Sequence, residues 1–263
     1  MTRIKAVLWD VDGTVAETER DGHRVAFNQA FEACGVPWRW DEIAYGDLLR
    51  VTGGRERLMH DMNSRTDAPA LAGQRDALAR EIHAHKNAIY ADLVKRGGIP
   101  LREGVLALMQ ECRGRGVRMG VTTTTSRSNV AALFKVHLGA QWQDWFSVLV
   151  CGEDVHRKKP DPEVYLSALR QLGVSPLEAV AIEDSPGGVE AARAAHVPVV
   201  VTRSAYFAKV AIEGATAIGP GLHDRRDWRP ALGLQPADPV RTTVGLDDID
   251  GWCAQMDTVS HFP

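Results

Sequence analysis

The chain has 263 residues, 44% of them hydrophobic, and a net charge of −3 with acids and bases mixed throughout. That length supports one large domain or a domain with a sizeable insertion. The charge leaves no basic stripe for nucleic acid, and no apolar run approaches the ~20 residues that cross a bilayer. The four cysteines, at positions 34, 112, 151 and 253, have no CxxC spacing and read as reduced, mostly buried thiols. The first strand begins within about three residues of Met1, which leaves no room for a leader, so a cytoplasmic protein is expected.

Ile4 to Trp9 is an apolar run too short for an ordinary helix, and its β-branched and aromatic members favour an extended strand. It ends in Asp10-Val11-Asp12-Gly13-Thr14. If the strand lies in a parallel sheet, its carboxyl end opens into the crevice where such sheets bind ligands. Asp10 and Asp12 stand there, and Val11 turns back into the core.

From Gly13 the pattern is helical for about eighty residues. Val25 to Cys34 repeats at helical spacing up to Gly35 and Pro37, and Asp41 caps a helix over 43–49. A short helix follows over 55–62. A long one spans 69–96, with Leu71, Leu78, Ile82, Ile89, Tyr90 and Leu93 on one side, and Gly97-Gly98 ends it. Nothing here alternates as a strand does, so residues 17–98 read as an all-helical insertion that returns to its starting point.

The second half alternates as a doubly wound α/β sheet does. Strands are expected over 117–121, 147–150, 179–182 and 198–202, with a short edge strand over 215–218. Helices are expected over 103–115, 128–137 and 161–172, and from Pro186 to near His196. Ser175 to Glu178 has the form of a capped single turn. Beyond Gly219, prolines at 220, 230, 236 and 239 fall among charged residues, and only 246–256 looks helical. The expected organisation is a core of 1–16 and 99–225, a cap of 17–98 and a tail of 226–263 packed on the core.

The strand ends collect Asp10, Asp12, Thr122 and its neighbours, and Glu183-Asp184, with Lys159 on the segment Lys158-Lys159-Pro160-Asp161-Pro162. Carboxylates converging on one crevice repel unless a cation sits among them, and hard oxygen donors suit Mg²⁺ better than zinc. A phosphate ester fits the rest, since hydroxyls and helix-start N–H groups hold its oxygens and a lysine balances its charge. A calcium loop is disfavoured: Val15 stands where the loop needs glycine, Asp21 where it needs glutamate, and a strand precedes it.

In order and context, Asp10-Val11-Asp12-Gly13-Thr14, Thr122 after a strand, Lys159 before Pro160, and Glu183-Asp184 resemble the four motifs of the haloacid dehalogenase superfamily, over residues 4 to about 218. The resemblance implies a Rossmann-like parallel-sheet core. It implies Asp10 as a nucleophile forming an aspartyl phosphate and Asp12 as general acid and base. Thr122, first after the strand, is the choice for phosphate contact, with a shift of one or two residues along the run, to Thr123 or Thr124, left open, and Lys159 opposes the charge. Mg²⁺ is implied on Asp10, the main-chain oxygen of Asp12 and Asp184, with Glu183 nearby. Dehalogenases of the superfamily generally lack the second aspartate, so Asp12 favours phosphoryl transfer.

The helical insertion resembles the cap of the β-phosphoglucomutase and CbbY-like branch, which closes over substrate and excludes water. By that resemblance Glu19 accepts a substrate hydroxyl, Thr52-Gly53-Gly54-Arg55 is the substrate loop, and Lys86 with Asn87 faces the ligand. A mutase ranks lower, because its histidine falls at Gly22 in this register and His23 is one residue off. Ala16 to Glu19, Asp21 to Arg24, Ala26-Phe27-Asn28, Leu101-Arg102 and the threonine run resemble most the CbbY-type phosphatases of carbon-fixing bacteria. These remove the 1-phosphate of xylulose-1,5-bisphosphate, an inhibitor of Rubisco. The expected partner is therefore a small sugar phosphate bound by a monomer, with no nucleic acid and no membrane. His83 and His85 lie on different faces of one helix and are not expected to share a metal.

Overall fold

The computed structural model describes residues 3–230 and 242–259. Six parallel strands form one sheet in the order β3-β2-β1-β4-β5-β6. They are β1 (Ala6–Trp9), β2 (Arg118–Thr122), β3 (Val148–Val150), β4 (Ala179–Glu183), β5 (Val199–Thr202) and β6 (Ala217–Gly219). In β1 side chains alternate between two separate cores, Val7 and Trp9 on one face and Ala6 and Leu8 on the other. A strand buried on both faces has to read as a continuous apolar run, and this one does. Val11 turns back into the core and is 1% exposed.

The register sets the site. Trp9 is level with Val121 on one side and with Ile182 on the other. One residue further along each strand, Asp10, Thr122 and Glu183 therefore arrive together at the same edge of the sheet.

Between β1 and β2 run α1 (Arg24–Ala33), α2 (Glu42–Leu48), α3 (Gly54–Ser64), α4 (Ala72–Lys95) and α5 (Val105–Gly114). The first four enclose their own aromatic core, in which Phe27, Phe31, Trp38, Trp40 and Tyr45 are buried. Asp41 caps α2 by accepting from the Ala44 amide at 2.8 Å, as its type and position predict. The apolar face of α4 differs from expectation. Leu71 precedes the helix and is 64% exposed, and the buried positions are Ala79, Ile82, Lys86, Tyr90 and Val94.

In the second half α6 (Arg127–Leu138), α7 (Glu163–Leu172) and α8 (Pro186–Ala194) alternate with the strands. Ser175 to Glu178 forms the expected capping box. Pro236 and Pro239 lie outside the described residues. The described end of the chain contributes α9 (Leu246–Val259), whose Leu246, Ile249, Trp252 and Cys253 join the core beside β1. There Trp252 stacks on Trp228 with ring centroids 4.6 Å apart.

Candidate active site

Asp10 is 7% exposed at the end of β1. Lys159 reaches it from the segment before α7 and donates to Asp10 Oδ1 at 2.8 Å, Glu183 Oε1 at 2.5 Å and the Thr122 carbonyl at 2.8 Å. Glu183 also accepts from the Tyr165 hydroxyl at 2.6 Å. Asp10, Glu183 and Asp184 are all buried, with ligand oxygens within 4.8 Å of one another. Three carboxylates thus face one ammonium. Burial pushes Asp10 up to about 8 against the pull of Lys159, with Glu183 adding to the rise. Asp184 is driven well above the carboxylate range by burial and by Asp10 and Glu183. For Lys159 burial works against the charge, but Asp10 and Glu183 outweigh it and hold the ammonium charged. The site lacks one or two positive charges and offers hard oxygen donors, so a divalent ion of the Mg²⁺ type fits it. Gly13 keeps the approach open, since a Cβ there would lie 2.1 Å from Asp184 Oδ2.

Asp12 faces the other way. Its Oδ1 accepts from Thr18 Oγ1 at 2.6 Å and lies 3.0 Å from His23 Nε2. Burial opposes its ionisation, but His23, Thr18 and Lys86 outweigh that and hold the carboxyl below its usual range. Two residues of spacing therefore separate the roles: Asp10 looks into the core cluster and Asp12 into the helical insertion.

His23 lies one residue beyond the position the sequence register allowed for a histidine. Residues Glu19–His23 form a π-turn, whose i→i+5 pattern absorbs one extra residue and brings His23 onto Asp12. Gly22 makes the turn possible, because a Cβ there would lie 2.5 Å from Ile99 Cδ1 and 2.8 Å from Tyr90 Cε2. The His23 ring packs on Tyr90 with centroids 4.3 Å apart.

Two cavities meet at Asp12, Glu19, Arg57 and Thr124. The larger, about 520 Å³, contains Asp10, Lys159 and Asp184 as well as Thr52. The smaller, about 200 Å³, is lined by Gly53, Gly54, Arg55, Lys86, Thr125 and Lys158. Thr122 and Thr123 are buried behind them: the Thr122 hydroxyl turns toward the Trp9 carbonyl, and Thr123 Oγ1 accepts from the Thr125 amide at 3.3 Å. Within the threonine run, Thr124 and Thr125 are the residues that face the cavities.

Lys86 is 3% exposed, over the Phe27 and Tyr90 rings at 5.4 and 5.3 Å. Burial lowers it to about 8 although Asp12 and Glu19 favour its charge. Glu19 accepts from the Tyr45 hydroxyl and pairs with Arg57 at 3.3 Å. Arg55 stands at the rim, with its guanidinium on Asp76. The buried Arg57 donates to Tyr45 Oη at 2.6 Å and has an unpartnered Nε. Sequence reasoning missed Arg57 and set His23 aside as one residue out of register. Arg57 sits three residues into α3 behind a more conspicuous arginine, and His23 was hidden by the π-turn. Lys86 had a signal, since Ile82, Lys86 and Tyr90 lie on one helix face.

Residues 4–196 match the model of the haloacid dehalogenase-like hydrolases. The chain is 40% identical over 227 residues to the protein CbbY of Cupriavidus necator, covering 86% of this chain and 89% of that one. It is 41% identical over 212 residues to CbbY of Cereibacter sphaeroides, covering 81% and 90%. The crystal structure of the D10N mutant of CbbY from Rhodobacter sphaeroides, in complex with xylulose-(1,5)bisphosphate, superposes with a TM-score of 0.78 at 39% identity, covering 83% of this chain and 94% of that one. With two carboxylates spaced two apart at the end of β1, a buried lysine on the first of them, and these relatives, the chain belongs to the haloacid dehalogenase-like hydrolases and, within them, to the CbbY phosphatases.

Proposed function

We propose that this phosphatase is Mg²⁺-dependent and removes the 1-phosphate of xylulose-1,5-bisphosphate through an aspartyl phosphate on Asp10, clearing a by-product that inhibits Rubisco. The observation that carries the reading is the division of the aspartates, with Asp10 held by Lys159 and Asp12 turned toward the helical insertion. The substrate comes from the bisphosphate bound by the related CbbY.

In this reading Asp10 attacks phosphorus and the sugar oxygen leaves, splitting one difficult transfer into two easier ones. Asp12 protonates the departing alkoxide and then takes a proton from the incoming water. In the free protein its low proton affinity keeps it ionised, and the carboxylate left by the first step is the base of the second. The negative charge of bound substrate and the loss of water raise that affinity for the first. Lys159 opposes the charge of the transferring group, and Glu183 holds Lys159 in place. Asp10, Asp184 and the main-chain oxygen of Asp12 would hold Mg²⁺, which supplies Lewis-acid neutralisation of the phosphoryl oxygens. Residues 17–98 act as the cap, 1–16 and 99–225 as the core, and of 226–263 the described residues 226–230 and 242–259 as a tail on the core. Glu19, Gly53, Gly54, Arg55 and Lys86 meet the sugar and its second phosphate. The protein works as a monomer in the cytoplasm.

A panel of sugar mono- and bisphosphates, assayed for released phosphate with and without Mg²⁺, tests the proposal. Preference for another sugar phosphate would replace the substrate, and turnover unaffected by chelation would remove the metal. His23 on Asp12 favours a second reading as a β-phosphoglucomutase, because it supplies the histidine whose register counted against that activity. The same panel separates the two if glucose 1-phosphate is followed for isomerisation as well as hydrolysis.

A further inference from the structure

Cys34, Glu81 and His85 form a cluster outside the catalytic crevice. Cys34 caps the C-terminal end of α1, its amide donating to the Ala30 carbonyl at 3.0 Å, and Gly35 with φ of +67° turns the chain away behind it. Glu81 and His85 are four residues apart on α4 and so share a face. The thiol, a Glu81 oxygen and a His85 ring nitrogen all lie within 4.8 Å of one another, with Cys34 half-buried and the other two exposed. None of the three side chains makes a hydrogen bond or ion pair with any other described residue.

We propose that these three side chains bind one thiophilic divalent cation, Zn²⁺ by donor chemistry, on the outer face of the helical insertion. A thiolate and an imidazole select zinc over magnesium, and three protein ligands at an open surface leave a fourth position for water. Charge balances: the thiolate and carboxylate together carry −2, the imidazole is neutral, and the cation carries +2. Binding releases the thiol proton, which burial and the Glu81 carboxylate otherwise hold on sulfur. The site shares no ligand with Asp10, Glu183 and Asp184. It joins the end of α1 to the middle of α4, next to the residue that turns inward as Lys86. The cation is thus a clasp on the helices that lead from His23 and carry Lys86, and it takes no part in the chemistry.

Co²⁺ is the probe. The chelator-treated full chain is titrated with Co²⁺ in excess Mg²⁺, which keeps the carboxylate site occupied. One equivalent is expected to give a thiolate-to-cobalt charge-transfer band that Zn²⁺ abolishes by displacement. Cys34→Ser is expected to lose the band, and His85→Ala to weaken binding by about tenfold or more. Zn²⁺ at about a hundred times its Kd should raise Tm by ~5 °C or more in the parent and leave Cys34→Ser unmoved. No band, a band that survives Cys34→Ser, or an equal Tm rise in both proteins overturns the proposal. If Cys34→Ser proves unstable, the exposed positions decide: Glu81→Gln and His85→Ala that bind Co²⁺ as tightly as the parent also overturn it.

Discussion

His23 Nε2 lies 3.0 Å from Asp12 Oδ1, a contact that exists because the backbone between Thr18 and Arg24 turns as a π-helix. A π-turn spans the gap of an α-turn with one residue more. Deleting Asp21 should therefore restore an α-turn, keep His23 on Asp12 and preserve at least about half of the parent kcat. Gly22→Val drives a side chain into Ile99 and Tyr90, and is expected to lower kcat at least tenfold and to lower Tm. Steady-state kinetics and melts of the two variants check this, and an inactive deletion with an active Gly22→Val would reverse the argument.

Asp10→Asn should reduce turnover to a few per cent or less, because an amide cannot form the acyl phosphate. Burial pushes Asp10 up to about 8, so this group costs stability at neutral pH that an uncharged amide does not, and Tm should be unchanged or raised. Lost activity with a lowered Tm would mean that Asp10 holds the fold.

Asp12→Ala should lose most turnover on a sugar phosphate and less on p-nitrophenyl phosphate, whose leaving group departs without a proton. The comparison is of kcat on the two substrates. Equal losses, with acyl-enzyme hydrolysis shown not to limit either, would deny Asp12 the role of acid.

Arg55 and Arg57 should separate. Arg55→Ala, at the rim with its guanidinium on Asp76, should lower kcat/KM for a sugar bisphosphate at least tenfold. A charge-assisted contact is worth about 1.5–3 kcal/mol. p-Nitrophenyl phosphate turnover should change by less than about threefold. Arg57→Met breaks a buried pair with Glu19 and a 2.6 Å bond to Tyr45, so both substrates should suffer and stability should fall by about 3 kcal/mol or more. If Arg55→Ala hurts both substrates equally, the second phosphate is not read there.

Lys86 gives a pH signature. Burial sets it at about 8 in the folded protein against 10.5 ordinarily. Below pH 8 both folded and unfolded states hold the proton, and the cost of burying the charge, about 3 kcal/mol, is fully present. Between pH 8 and about 10.5 only the unfolded state holds it, so stability rises with pH and the cost disappears. Lys86→Met should therefore stabilise the protein at pH 7 and give no advantage near pH 10.5. Urea midpoints at the two pH values measure this, and a gain independent of pH would assign it to packing instead.

The sequence by itself determined the parallel α/β core and which acidic and basic residues gather at its edge. A strand buried on both faces needs an unbroken apolar run, so Ile4 to Trp9 could be read directly, and Asp10 and Asp12 were fixed at its end by chain order. Lys159 and Glu183 were legible for the same reason, as each follows or precedes a short punctuated element. Glu19, Thr52, Gly53, Gly54, Arg55 and Lys86, named from the family resemblance, do line the two cavities, and the tertiary structure alone added His23 and Arg57 to them. Sequence reasoning placed Leu71 on the inner face of α4, where the structure exposes it and buries Lys86 instead. It singled out Arg55, while Arg57 is the arginine enclosed with Glu19 and Tyr45. It set His23 one residue off the register of the mutase histidine, and a π-turn brings it onto Asp12. Helical periodicity averages over a turn and cannot register one added residue, and burying a charge is decided by partners remote in sequence. Asp12, Glu19, Tyr45 and Arg57 meet only when β1, α2 and α3 are packed together.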